Sequence, residues 1–411
     1  MSSALVLILV VVGGYLAAHV ASDWLGRRFL VVSGAEYLLL GVLLGPQVSS
    51  VIGADVFGGF APFLTLALGW VGVVVGAQFS LQELVRLPAA PYRIAFLEAF
   101  LTLAAVSGAM TLVFTWMFRM EPATAVVPAV ALGAVATASA PTGIGLVARR
   151  LGWRGPVVKQ LQLTTAIDAL MAIVAFSLLL TVNHAPPTGT VRPPTPTEWA
   201  VISVGIGCVG GTLFHLFLGN ERKIDRLAIG LAGATMLASG GAAYLRLSPL
   251  LPTMLIGAIL VNTSGSREEI RRVLAMVERP LYFVLLIFAG AAWVPSTRAW
   301  LLPVLVFLVV RTGAKVGGGY LGARFNDALP TLGWGWGRAL LGQGGLAVAI
   351  GLNYLLQEEV PLANLVFTAA LVSVIVMDVA SARLAESVVG SARRRRAELY
   401  VAAQSGRTEE A

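Results

Sequence analysis

The chain has 411 residues, of which 57% are hydrophobic and only 12% are charged, so it is not an ordinary soluble domain. A single cysteine excludes an internal disulfide framework, and three scattered histidines (His19, His184 and His215) form no ligand cluster, so we expect no metal centre or other cofactor. The net charge of +8 predicts no nucleic-acid partner, because the basic residues are distributed along the chain as membrane topology requires.

The apolar runs predict thirteen transmembrane helices and hence an all-α polytopic membrane protein. The predicted helices span roughly residues 3–20, 29–46, 56–78, 92–118, 123–148, 157–183, 198–219, 226–245, 248–263, 279–295, 299–322, 335–356 and 361–385. We interpret the first run as a helix that is retained and not as a signal peptide, because it lacks a basic segment before it.

Most basic residues fall on one side of this predicted topology. The other side carries only Arg119, Arg192, Arg246 and Arg298. The positive-inside rule makes the basic side cytoplasmic, so the N-terminus is expected outside and the C-terminus inside the cell membrane. We expect one membrane domain over residues 1–391 and a short basic and polar cytoplasmic tail over 392–411.

One carboxylate, that of Asp168, lies within the sixth apolar run. An ionised acid at membrane depth costs a few kcal/mol or more unless it has a partner or a water-filled cavity, so it indicates function by default. A permanent structural ion pair is the alternative interpretation. Counting at 1.5 Å per residue, Asp168 and Lys315 each lie about 13 Å above the inner face. Arg311 lies one turn farther out; either cation could be the partner, and depth favours Lys315.

Two predicted helices contain breaks at a similar depth. In the fifth helix, residues 136–143 combine Thr137, Ser139, Pro141 and a glycine; in the twelfth, three glycines surround Gln343. Proline and glycine interrupt helices, and non-helical backbone persists in a membrane only where it is buried in protein or lines a cavity. Along residues 92–183 the broken helix comes first and the acid, Asp168, follows it. Along residues 299–388 the base, Lys315, comes first and the broken helix follows it. This order predicts inverted repeats with crossed discontinuous helices, as in one class of secondary transporter.

Several segments, in order, resemble the monovalent cation:proton antiporter family, the membrane domain of sodium/hydrogen exchangers. The resemblance covers roughly residues 5–385, and the segments that carry it are 37–46, 76–81, 248–251, 288–291 and 315–324. No single segment is specific; their order and spacing together are. Compared with much of the family, the chain has Ile167 before the aspartate in place of Asp or Asn, and Gln78 in place of Glu.

The resemblance implies a site for ions and protons. It implies that Asp168 binds the cation and the proton, with Thr164, Thr137 and Ser139 as further ligands. Lys315 would be the basic partner, with Arg311 as the second candidate. Gln78, Pro141 and Gln343 are possible lining residues. The family also implies a homodimer.

We therefore expect exchange of a monovalent cation, Na+ or K+, for protons by alternating access at Asp168. A sodium-coupled solute symporter and a non-coupled channel or ion-sensing protein are the alternatives. No enzyme is expected, because the sequence suggests no paired acids, no histidine beside a nucleophile and no phosphate loop. Glu98 lies about 7 Å above the inner face at 1.5 Å per residue; we expect its side chain to extend to the interface, and the alternative is that it lines a cytoplasmic vestibule.

Overall fold

The computed structural model describes residues 34–85, 88–150, 155–184, 194–294, 300–324, 335–357 and 360–409, together with residues 152, 192 and 333. Throughout these ranges the regular structure is helical. The α-helices are α1 (Ala35–Leu44), α2 (Ala54–Gly59), α3 (Ala61–Gly76), α4 (Leu81–Leu84), α5 (Ala89–Met117), α6 (Pro122–Thr137), α7 (Pro141–Arg150), α8 (Pro156–Val182), α9 (Pro196–Leu218), α10 (Ile224–Tyr244), α11 (Leu250–Thr263), α12 (Arg267–Ala291), α13 (Leu301–Arg324), α14 (Gly345–Leu355) and α15 (Ala363–Glu409). A 3-10 helix, Trp336–Leu340, precedes α14.

Six of these helices are long and apolar enough to cross a membrane: α5, α8, α9, α10, α12 and α13. Shorter apolar helices accompany them: α3 precedes the six in the chain, α6 and α11 lie between them, and α14 follows them. The chain is a multi-pass membrane protein with an all-helical fold, as the sequence predicts.

Both predicted helix breaks are present. The fifth predicted helix is divided into α6 and α7 by the non-helical residues 138–140. The twelfth is divided into the 3-10 helix and α14 by the non-helical residues 341–344. Pro141 begins α7 and Gly345 begins α14, so each second half starts at a residue that disfavours continuing the first.

Other predicted boundaries are wrong. The predicted helix 279–295 begins at Arg267, because its first turns are amphipathic: Ile270, Val273 and Leu274 are buried while their charged neighbours keep the mean hydropathy low. The predicted helix 56–78 is divided into α2 and α3 near Phe60.

The last helix is longer than the apolar run that predicts it. The predicted helix 361–385 corresponds to α15, which passes residue 391 without a break. The division into a membrane domain and a tail stays a prediction. The predicted helix 3–20 and the start of the next one, 29–33, lie outside the described residues.

Glycines permit close approach between neighbouring helices. A Cβ atom added to Gly76 of α3 would lie 1.9 Å from the carbonyl oxygen of Met254 in α11. One added to Gly257 of α11 would lie 2.2 Å from the carbonyl oxygen of Val73. Backbones packed this tightly are typical of membrane helices that associate through small residues.

Candidate functional site

The centre of the site is the ammonium group of Lys315, on α13. Its Nζ atom donates hydrogen bonds to Asp168 Oδ2 (2.8 Å) on α8, to Glu98 Oε2 (3.2 Å) on α5, and to the carbonyl oxygen of Thr137 (2.9 Å) at the end of α6. These three acceptors account for all three hydrogens of an ammonium group. Of the two cations that could pair with Asp168, Lys315 makes the contact.

Glu98 is the residue that sequence reasoning places wrongly. Its side chain is fully buried and forms an ion pair with Lys315, and Thr102, one turn farther along α5, donates to its Oε1 atom at 3.0 Å. The expectation that Glu98 reaches the interface is therefore wrong. The expectation that the chain has no paired acids is wrong too, since Glu98 and Asp168 bind the same ammonium group.

The close packing of α13 on α5 explains how Glu98 reaches the site. A Cβ atom on Gly318 would lie 3.2 Å from Glu98 Cγ, and one on Gly322 would lie 2.8 Å from Cγ2 of Ile94. Gly318 and Gly322 are four residues apart, as are Ile94 and Glu98, so the two pairs meet along single helix faces. This glycine pair is the signal in the sequence that could have indicated a helix packed against Lys315.

Arg311 lies one turn before Lys315 and binds the two breaks to each other. Its Nε atom donates to the carbonyl oxygen of Ala136 (3.1 Å), and one terminal nitrogen donates to the carbonyl oxygen of Leu341 (3.0 Å). The end of a helix carries unsatisfied carbonyl groups and a partial negative charge. A buried guanidinium group therefore neutralises the ends of α6 and of the 3-10 helix together.

Further contacts join the two non-helical segments where they cross. The Ser139 hydroxyl donates to the Leu340 carbonyl (3.0 Å), and the Ala140 amide donates to the Gly342 carbonyl (2.8 Å). The side-chain amide of Gln343 donates through Nε2 to the Val135 carbonyl (2.8 Å) and accepts through Oε1 from the Ser373 hydroxyl of α15. Ser139 and Gln343 thus hold the crossing together.

A polar stripe runs along α8 to Asp168. Gln160, Thr164 and Asp168 are spaced by four residues and are all buried. The side-chain amide of Gln160 donates to the Pro91 carbonyl (3.0 Å) and to the Thr164 hydroxyl (3.3 Å). The Thr164 hydroxyl in turn donates to the backbone carbonyl of Gln160 (2.9 Å). Gln160 was not predicted as a site residue. Its spacing of four residues from Thr164 could have indicated that it shares the same helix face.

Two of the possible lining residues are not brought into the site. Gln78 is exposed just beyond the end of α3, and Pro141 is exposed at the start of α7. Thr137 takes part through its backbone carbonyl, because its hydroxyl donates to the Gly133 carbonyl at 2.8 Å.

Several buried polar atoms near the site have no hydrogen-bond partner. They are Asp168 Oδ1, Gln160 Oε1 and one terminal nitrogen of Arg311. A buried carboxylate oxygen left unpaired is costly, and a cation, a proton or a water molecule would each satisfy it. Glu98 and Asp168 balance Arg311 and Lys315 in formal charge, and all four side chains are fully buried. The four charges sum to zero before an ion binds, so a cation or a proton at Asp168 gives the site a net charge of +1 unless a base gives up its proton.

Comparison with known proteins places the fold in a class. No protein-family model matches the sequence, and no curated protein is similar to it. Among solved structures, the fold is that of a sodium proton antiporter.

That protein is MjNhaP1 from Methanocaldococcus jannaschii. Its structure at pH 8 is 15% identical in sequence, covers 93% of this chain and 96% of its own, and gives a TM-score of 0.68. A second structure, from an electron microscopy map, is also 15% identical, covers 94% and 96%, and gives a TM-score of 0.63. The likeness spans nearly the whole of both chains and establishes the shared architecture.

Proposed function

We propose that the protein is a secondary active transporter that exchanges a monovalent cation, Na+ or K+, for protons by alternating access at Asp168. The observation that carries this proposal is a fully buried carboxylate with one unpaired oxygen, beside the crossing of two broken helices. Such crossings are where this class of transporter binds its ions. The fold shared with a sodium proton antiporter supports the same conclusion.

Exchange follows from competition for one carboxylate. A proton and a cation cannot both occupy Asp168, so exposing it first to one side of the membrane and then to the other exchanges the two. Asp168 Oδ1 is the first atom available to an incoming cation. Complete binding then requires Lys315 to give up Asp168 Oδ2.

The setting of the protein is part of the same proposal. We place it in the cell membrane, with the N-terminus outside and the C-terminus in the cytoplasm, because of the distribution of basic residues. A homodimer remains a prediction from the family resemblance. Cross-linking in native membranes would test it.

The decisive experiment compares Asp168→Asn with wild type in proteoliposomes. An imposed gradient of Na+, K+ or Li+ should drive proton flux in wild type, and Asp168→Asn should abolish it. Asp225→Asn is a matched control, because Asp225 is exposed in the first turn of α10. Cation flux without proton movement would indicate a channel. Loss of thermal stability with exchange intact would indicate that Asp168 and Lys315 form a structural pair.

A further inference from the structure

We infer that Glu98 is the positioning residue that retains the Lys315 ammonium group when a cation takes Asp168, so that exchange is one cation for one proton and moves no net charge. This inference rests on the proposed function and goes beyond it by assigning a role to Glu98 and a stoichiometry to the site.

The first step concerns the partners of the lysine. Lys315 Nζ binds Asp168, Glu98 and the Thr137 carbonyl, which lie on three different helices. A cation that displaces it from Asp168 leaves a carboxylate and a carbonyl in place. Lys315 then keeps a charge-assisted hydrogen bond in a buried setting, where an unpaired ammonium group would be expelled or would lose its proton.

The second step concerns how Glu98 is held. Thr102 donates to Glu98 Oε1 at 3.0 Å, which leaves Oε2 directed at Lys315. The contact of Gly318 with Glu98 keeps α13 and α5 together at this level. Glu98 also interacts with Asp168, but Thr102 and the packing against Gly318 support it as well, and these supports keep it on Lys315 when Asp168 binds a cation.

The charge balance follows from these two steps. In the cation-loaded state the Asp168 carboxylate carries the cation, and in the proton-loaded state it carries a proton, so it is neutral in both. The pair of Lys315 and Glu98 is neutral throughout, and Arg311 keeps its contacts with the two helix ends. The two loaded states carry the same charge. If Lys315 instead released its proton on cation binding, two protons would move for each cation.

The test measures charge movement together with proton flux. Wild-type proteoliposomes receive a Na+ gradient, and one dye reports internal pH while another reports membrane potential. We expect proton flux without a change of potential, and no acceleration by the permeant anion thiocyanate. A potential that builds up with proton flux overturns the inference and leaves the proposed function standing. Absence of exchange with Na+, K+ and Li+ contradicts the proposed function and this inference with it.

Variants of Glu98 test its role directly. Glu98→Gln should make exchange charge-moving and raise the Na+ concentration for half-maximal exchange by roughly tenfold, because Lys315 loses its second carboxylate. Glu98→Asp keeps the charge and should restore exchange without charge movement. Glu268→Gln is the matched control, since Glu268 is exposed in the first turn of α12. Glu98→Gln with wild-type affinity and no charge movement overturns the inference. If this variant does not fold, the wild-type and Glu98→Asp measurements still decide.

Discussion

The ion pairs of Lys315 show how strongly a single buried charge depends on its neighbours. Replacing a buried ion pair by apolar groups is often tolerated, whereas removing one partner leaves an uncompensated charge at a cost of about 3–5 kcal/mol. Lys315 is the shared partner of two carboxylates, so its removal is the more damaging change. Removing either Glu98 or Asp168 alone leaves Lys315 with the other carboxylate as its partner.

We predict that Lys315→Met lowers the free energy of unfolding by about 3–5 kcal/mol, because two buried carboxylates lose their cation. Unfolding in detergent, followed by heat or denaturant, measures the effect. Adding Glu98→Gln to this variant should recover part of the stability, since one orphaned charge is removed. Lys223→Met, at an exposed position, is the control. Equal stability of Lys315→Met and wild type would contradict the prediction.

Depth in the membrane could be predicted from the sequence, but lateral position could not. Counting residues from the inner face placed Asp168 and Lys315 at one level, and the structure shows them in contact. The same counting placed Glu98 nearer the surface. The expectation for Glu98 failed because the flexible four-carbon stem of Lys315 spans a difference in membrane depth. A count of depth also does not say which helices are neighbours.

At the scale of helices, the packing of α13 on α5 depends on which side of α13 a glycine occupies. A Cβ atom on Gly318 would meet Glu98 at 3.2 Å, whereas one on Gly317 would meet nothing within 4 Å. These adjacent residues have the same identity and differ in what they face.

We therefore predict that Gly318→Val impairs both exchange and thermal stability, because it forces α13 away from α5 and separates Lys315 from Glu98. Gly317→Val is the matched control and should retain exchange. Proteoliposome assays and unfolding in detergent compare the two. Equal loss in both variants would show that glycine matters here for backbone conformation and not for packing.

The crossing of the broken helices gives a second prediction at this scale. Arg311→Leu leaves the carbonyl groups of Ala136 and Leu341 without their donor, at about 1–3 kcal/mol for each buried group. We expect faster amide hydrogen exchange at residues 138–144 and 341–344. Arg324→Leu, at the end of α13, should leave both segments unchanged. Protection equal to wild type in Arg311→Leu would contradict the role assigned to Arg311.

The breaks themselves were predictable, because proline and glycine beside hydroxyl residues at mid-membrane depth disfavour a continuous helix through an apolar span. The predicted start of α12, residue 279, was wrong because the mean hydropathy over charged and apolar residues is low even where the helix is amphipathic. The spacing of Ile270, Val273 and Leu274 carries that information, and the structure buries all three.

For the whole molecule, the orientation in the membrane is open to a direct test. Cys208 is the chain's single cysteine, so Cys208→Ser provides a background free of thiols. In that background, Thr197→Cys should react with a membrane-impermeant maleimide in intact cells, whereas Arg222→Cys should react only after permeabilisation. Both positions are exposed; Thr197 lies in the first turn of α9, and Arg222 follows the last residue of that helix, Leu218. The reverse pattern would invert the proposed topology.

The contacts at the crossing join residues that are far apart in the sequence. Leu340, whose carbonyl accepts from Ser139, is synthesised 201 residues after Ser139. Arg311, which donates to the Ala136 carbonyl, is synthesised 175 residues after Ala136. At synthesis rates of about 5–20 residues per second, the ribosome needs roughly 10–40 s to supply the missing partner. During that interval the Ser139 hydroxyl and the Ala136 carbonyl lack these partners, so the early half reaches its final packing only after the late half is inserted.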